Sequence, residues 1–256
     1  MTDQVTKARI FRAFHTAGRP LILFNVWDPG STKAVAAAGA KAIATGSWSV
    51  AAAHGFPDGE KLPWTRALDN LKRIVAATEL PVSLDIESGY GDDPAAVGRT
   101  VTDLLAAGAI GCNLEDSFPA TGTLRAIGDQ VERLRAARGA ADDAKIDAFI
   151  NARIDVFFQA SPDAHDSKMV DAALERAHAF AAAGADGVFM PGLIDIGLIE
   201  ALAKASPLPL NIMAGDSAPR LEELARVGVA RVSHGPGPYL IAMRALTAAA
   251  RSAATG

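Results

Sequence analysis

The chain has 256 residues, half of them apolar and 21% charged, with a net charge of −4. That content supports a sizeable core and excludes a disordered chain, and the lack of a basic stripe argues against nucleic acid or an anionic membrane as partner. A single cysteine, Cys112, excludes an internal disulfide and fits a reducing, cytoplasmic setting; no apolar run is long enough to span a bilayer, and the N-terminal stretch lacks the apolar core of a signal peptide.

A helix is expected over residues 6–17, followed by a first strand over 21–27 and a second over 42–47. Helix 64–78 leads to strand 82–88, helix 94–107 to strand 111–117, and helix 127–138 to strand 148–157. Helix 168–183 precedes strand 187–193; strand 208–215, helix 218–227, strand 231–237 and helix 238–254 complete the chain. Alanine-rich helical segments end at Gly39, Gly108, Gly184 and Gly228, and an apolar strand starts about three residues later. Eight strands alternating with helices over this length predict a single-domain α/β protein over residues 1–256, a (β/α)8 TIM barrel. An open doubly wound sheet ranks second, because no glycine-rich dinucleotide turn follows the first strand.

Side chains alternate across a strand, so in a barrel one parity faces the axis and the other faces the helices. In the third strand Val82, Leu84 and Ile86 suit the helix-facing layer, which turns Ser83, Asp85 and Glu87 inward. The same count places Asn113 and Glu115 inward with Cys112 and Leu114 outward, and Asn151, Arg153 and Asp155 inward with Ile150, Ala152 and Ile154 outward. Asn25, Trp27, Thr45, Ser47, Asn211 and Ser233 also fall inside. Barrel interiors are normally filled by Val, Ile and Leu, and active sites form at the strands' C-terminal ends. Ionisable groups there are costly unless paired or bound to a cation.

Asp85, Glu87 and Glu115 come from adjacent strands and would repel one another. A divalent cation relieves that repulsion, and an all-oxygen donor set suits Mg²⁺ or Mn²⁺. The competing arrangement is a core ion network in which Asp85 or Glu115 pairs with Arg153. Arg153 is the one inward cation this parity count identifies, and its planar fork suits a carboxylate or phosphonate. The alternative for it is a salt bridge to Asp155 or Glu115. No inward lysine stands near a strand's C-terminal end, so a Schiff-base aldolase is not expected.

Several of these segments together resemble one known family. Phe24-Asn25-Val26-Trp27-Asp28, Thr45-Gly46-Ser47, Asp85-Ile86-Glu87-Ser88-Gly89-Tyr90-Gly91, Asn113-Leu114-Glu115-Asp116 and Asn151-Ala152-Arg153 are similar, in order, to motifs of the phosphoenolpyruvate mutase/isocitrate lyase superfamily. The resemblance implies a barrel that binds Mg²⁺ and a small 2-oxo acid and makes or breaks a C–C or P–C bond beside a pyruvate unit, through an enolate-like species. Carried over by position, Asp85, Glu87 and Glu115 would hold the metal, some through water. Amides around Ser47 and Trp48 would hold the substrate carboxylate, and Arg153 its charged leaving portion. Trp27, Asp85, Asn113, Asn151 and Asn211 join the expected substrate contacts. Asp58, in Gly55-Phe56-Pro57-Asp58-Gly59-Glu60, matches an acid on a mobile loop, although Pro-Asp-Gly is also ordinary turn chemistry. Arg153, Asp58 and Glu115 are thus the expected catalytic residues.

The chain also departs from that family. Lyases carry a Lys-Lys-Cys-Gly-His loop after the fourth strand, where this chain has Asp116-Ser117-Phe118-Pro119-Ala120-Thr121-Gly122-Thr123-Leu124. The longer mutase gating loop is absent, Glu87 replaces an aspartate usual in relatives, and Met190-Pro191 stands where mutases place a histidine. The expectation is an Mg²⁺-dependent lyase cleaving or decarboxylating an oxaloacetate-like or malate-like acid. P–C bond chemistry and a non-catalytic keto-acid-binding protein remain as alternatives. A homo-oligomer, dimer or tetramer, is expected from the resemblance.

Overall fold

The computed structural model describes residues 3–215 and 217–255. Its eight strands are all parallel: β1 (Leu21–Leu23), β2 (Ile43–Ala44), β3 (Val82–Asp85), β4 (Gly111–Glu115), β5 (Phe149–Arg153), β6 (Gly187–Met190), β7 (Leu210–Met213) and β8 (Arg231–Ser233). Sequential neighbours pair from β2 round to β8, and β8 pairs with β1 in the register Leu21↔Arg231. The remaining seam between β1 and β2 is drawn together just past the strands, where Val26 bridges Thr45 and Val26 N donates to Ala44 O at 2.9 Å. The result is the expected (β/α)8 barrel.

Helices α1 (Gln4–Ala13), α2 (Pro29–Ala37), α3 (Ser47–Ala53), α4 (Trp64–Ala76), α5 (Pro94–Ala106), α6 (Ile127–Asp143), α7 (Ser167–Ala182), α8 (Ile196–Ala205), α9 (Leu221–Arg226) and α10 (Gly237–Thr255) connect or flank the strands. Local chemistry sets their starts. Asp28, Asp93, Asp166 and Asp195 each accept a backbone amide from the first turn, and Pro29 and Pro94 preset its φ. α2 is the helical segment marked in the sequence by its stop at Gly39, whereas α3 and α8 fill intervals with no predicted helix. Helix stops fall at the four predicted glycines, all with positive φ; a Cβ at Gly184 would meet Arg138 Cγ at 2.8 Å.

The strands are shorter than predicted. Ser47 already belongs to α3, and β5 ends at Arg153, after which Asp155–Phe158 is a 3₁₀ turn. The parity holds nonetheless. Val82, Leu84, Ile86, Cys112, Leu114, Ile150, Ala152 and Ile154 all join the main core between sheet and helices. The lower end of the barrel is plugged by Leu21, Leu23, Ile110 and Phe149 together with Phe11 of α1, and the His15 ring stacks on Phe149 at 3.9 Å. Burial pushes the Cys112 thiol up to about 12, as for an inert packed group.

α10 leaves the barrel: its residues from Arg244 to Ala254 are exposed, and Ile241 and Leu246 present apolar surface. No helix among the described residues is long and apolar enough to cross a membrane.

Candidate active site

At the strands' C-terminal ends a cavity of about 210 Å³ opens between two unlike walls. One carries Asp58, Asp85, Asn113 and Arg153; the other carries Phe158, Phe189, Pro191, Met213 and Pro236, with Trp48 at the rim. An adjoining recess of about 330 Å³ shares Asp58 and Arg153 and adds Glu87, Glu115 and Asp155. A larger cavity, about 360 Å³, lies on the outer wall against Phe14, Ile22, Phe24 and Val35. It gathers no carboxylate, so the chemistry belongs to the mouth.

Asp85 ends β3 and is held in place by its neighbours. Its amide donates to Thr45 Oγ1 at 2.9 Å, and its carboxylate accepts from Ser47 N at 3.0 Å and Glu87 N at 3.3 Å. Ser47's amide is therefore engaged by Asp85 here. Glu87 sits in the left-handed region at φ 51°, as do Glu60 at 59° and Tyr90 at 56°. Such conformations cost about 1–2 kcal/mol each for side-chain-bearing residues. The three strained residues form one cluster: Glu87 accepts from Glu60 N at 2.5 Å and from the Tyr90 hydroxyl at 3.3 Å, while Glu60's carboxylate accepts from Ser88 Oγ and Tyr90 N. Burial, then the nearby Asp58 charge, pushes the Glu87 carboxyl up to about 7. Asp58, on the loop before α4, is raised first by burial and then by Asp85.

Arg153 ends β5 and is bonded on both sides. Nη1 lies 2.6 Å from Glu115 Oε2, Nε lies 2.6 Å from Asp155 Oδ1, and the guanidinium stands over the Phe158 ring. The two carboxylates hold it protonated. Burial pushes Glu115 above the usual carboxylate range although Arg153 opposes it, and Asp155, Asp85 and Glu87 add to the rise. The ion network posed as the alternative for Arg153 is therefore present. Asp155 is braced in turn by Ser117 Oγ at 2.5 Å, and its amide donates to the fully buried Asp116, which Arg176 also binds.

Among the described residues no three His, Cys, Asp or Glu side chains are grouped closely enough to hold a metal ion directly. The expected three-acid cage is thus not formed in this arrangement: Glu115 turns to Arg153, and Glu87 to the Glu60 amide. The donor chemistry still fits Mg²⁺, which usually keeps several waters and needs only one or two carboxylates. Asp85 offers that carboxylate, while Asp58, Glu87 and Glu115 are raised first by burial, with neighbouring carboxylates adding to the rise.

The other expected contacts divide. Ser47, Trp48 and Asn113 line the cavity. Trp27 packs behind it, edge-on to Tyr239 at 5.2 Å and against the small core of Val50, Leu62 and Ala67. Asn151 and Asn211 lie deeper in the barrel, bonded to Asn113 and Ser233. Asn25 joins the seam, accepting from the amides of His234 and Gly235 and donating to Thr45 O. Thr121 and Thr123 bond each other in the loop after β4. Two features are not singled out by the sequence: Glu60, which reads as a loop residue, and Arg231, whose inward position follows from the parity of Ser233.

A family model described as phosphoenolpyruvate phosphomutase matches residues 11–254. The chain belongs to this family. A crystal structure from Burkholderia cenocepacia J2315, provisionally named a phosphonomutase, is 56% identical with a TM-score of 0.96, over 98% of this chain and 99% of that one. An uncharacterised protein of Mycobacterium tuberculosis is 34% identical over 96% of this chain and 89% of its own length. An oxaloacetate decarboxylase of Pseudomonas aeruginosa is 29% identical over 92% and 81%. A phosphonopyruvate hydrolase solved with oxalate and Mg²⁺ shares the fold, at 24% identity and a TM-score of 0.80 over 96% and 84%.

Proposed function

We propose that this family member is a cytoplasmic Mg²⁺-dependent lyase that decarboxylates, or cleaves a C–C bond of, a small oxaloacetate-like or malate-like acid. The observation that carries the proposal is the mouth itself: an unbalanced group of carboxylates facing an apolar wall, with Arg153 as the one cation among the residues that line it. Oxaloacetate decarboxylase activity in a relative that aligns over nearly the whole chain supports the C–C assignment. So does charge. Arg153 already serves two carboxylates, so a dicarboxylate is less costly to seat than a more highly charged phosphonate.

Asp85 would hold Mg²⁺ directly, with Glu87 and Glu115 reaching it through water. The ion would act as a Lewis acid towards the keto and carboxylate oxygens of the substrate. The chain's own residues do the rest. Arg153 takes the distal carboxylate as a bidentate partner, loosening from Glu115 to do so. Phe158, Phe189 and Met213 exclude water from the reacting carbon and lower the local dielectric, which strengthens every charge contact. In decarboxylation the bond to the departing carboxylate breaks, its electron pair passes into the enolate, and carbon dioxide leaves. Asp58, raised by burial, then returns a proton to the former C3.

A P–C reaction is the second reading, favoured by the 56% identity to the protein named a phosphonomutase. Turnover of oxaloacetate, methylisocitrate and phosphonopyruvate with Mg²⁺ separates the two. The expected result is pyruvate from a carbon acid; turnover of phosphonopyruvate alone rejects the proposal, and tight binding without product on any substrate marks a binding protein instead. A homo-oligomer, dimer or tetramer, is part of the proposal, with Ile241 and Leu246 of α10 covered by another copy; light scattering checks it.

A further inference from the structure

Beneath the cavity lies a guanidinium that the proposed chemistry does not use. Arg231 opens β8, is 1% exposed, and makes no ion pair among the described residues. Its Nε donates to Ser233 Oγ and its Nη2 to Asn113 Oδ1, each at 3.2 Å. Such a layer is costly. Among the described residues Arg231 Nη1, Asn151 Oδ1 and Asn211 Oδ1 are buried without partners, where barrels ordinarily place Val, Ile or Leu.

What the layer does follows from the donor inventory. A guanidinium only donates, so both of its partner atoms must accept. The Asn113 carboxamide therefore cannot turn over. Its Oδ1 also accepts from Asn151 Nδ2 at 2.9 Å, which fixes Asn151 as well. Asn113 Nδ2 is left with no protein acceptor among the described residues, on a residue that lines the cavity. Ser233 Oγ accepts from Arg231 Nε and also meets the Asn211 carboxamide at 3.2 Å. Ser233 lines the same cavity.

We propose that Arg231 is a positioning residue that sets the hydrogen-bond polarity of the cavity floor, so that Asn113 meets the bound molecule as a donor. The group seated on that floor is then one that only accepts, a keto or carboxylate oxygen rather than an amine or a hydroxyl. This rests on the 2-oxo acid reading of the site and deepens it: it favours the 2-oxo over the 2-hydroxy acid.

Two readouts test it. Calorimetry with Mg²⁺ and oxalate, an acceptor-only dianion, compares wild type with R231M, R231K and N113D. R231M and N113D are expected to lose about tenfold or more in affinity, and R231K, which restores an obligate donor, to recover most of it. The second readout needs no ligand. In ¹⁵N-labelled free protein, the buried Asn151 side-chain amide should exchange slowly in wild type and R231K and rapidly in R231M. Slow exchange retained in R231M overturns the positioning role whatever oxalate does. Where R231M does not fold, N113D decides: wild-type oxalate affinity in that variant overturns the donor floor. Fast exchange in R231M with no oxalate binding by wild type rejects the 2-oxo acid reading and supports the positioning role.

Discussion

The wall of the mouth built by β3–β5 and the wall built by β6–β8 are made of different chemistry. The first holds Asp85, Glu87, Glu115 and Arg153 within one hydrogen-bonded set; the second presents Phe189, Pro191, Met213 and Pro236. Charge is concentrated on one side and apolar surface on the other. The acid wall suits the proposed ligands, a cation and a 2-oxo acid. The apolar wall includes Pro191, at the place where the resemblance to mutases implies a histidine.

Variants on each wall should therefore fail differently. The largest effect is expected at Asp85. Asp85→Ala should lower Mg²⁺-dependent turnover by about 10³-fold, the scale of a lost electrostatic contribution to catalysis. Thermal stability should hold or rise, because like-charge repulsion on Asp58 and Glu87 is relieved. Turnover paired with a melting curve checks both. Next is Arg153→Met, which leaves Glu115 and Asp155 buried without their partner and should cost about 3–5 kcal/mol. Denaturant unfolding measures it, and adding Glu115→Gln should restore part of the loss.

The pH dependence separates the acid wall from the rest of the barrel. The Glu87 carboxyl lies at about 7 in the fold against an ordinary 4.5, so the folded chain binds that proton more tightly than the unfolded one. Its contribution to stability is full below about pH 4.5 and is lost as pH rises through about 7. In metal-free protein the stability of wild type relative to Glu87→Gln should decline across that window, and Mg²⁺ should flatten the decline. A difference constant with pH would show that Glu87 has an ordinary carboxyl. On the other wall, Phe189→Asn should admit water and lower kcat/KM by about tenfold with little change in metal affinity. The smallest effect is expected away from both walls. Cys112→Ala should cost about 1 kcal/mol of stability and leave turnover within about twofold, as for a packed thiol.

Much of the acid wall was legible because strand parity is a rigid rule. Val82, Leu84 and Ile86 had to face the helices, which left Ser83, Asp85 and Glu87 for the inside. The same rule placed Asn113, Glu115, Asn151 and Arg153. It fails where the chain stops being a strand. Asp155 sits on a 3₁₀ turn, yet its carboxylate returns to Arg153 through a loop geometry that no periodicity encodes. Glu60 and Tyr90 come together only because three residues accept left-handed backbone, a tertiary effect invisible to local propensity. Trp27 had inward parity, but beyond β1 the chain bends towards α2 and carries its ring onto Tyr239. Arg231 was open to the same parity rule through Ser233 and lies at the strand's first residue, below the level where active-site groups are sought.

The central claim is that the mouth takes a divalent cation and a 2-oxo acid together. A calorimetric titration of wild type with oxalate, with and without Mg²⁺, tests it most directly. Saturable binding that requires Mg²⁺ and disappears in Asp85→Ala is the predicted result. Oxalate binding of equal strength without the ion, or unaltered in Asp85→Ala, would contradict it.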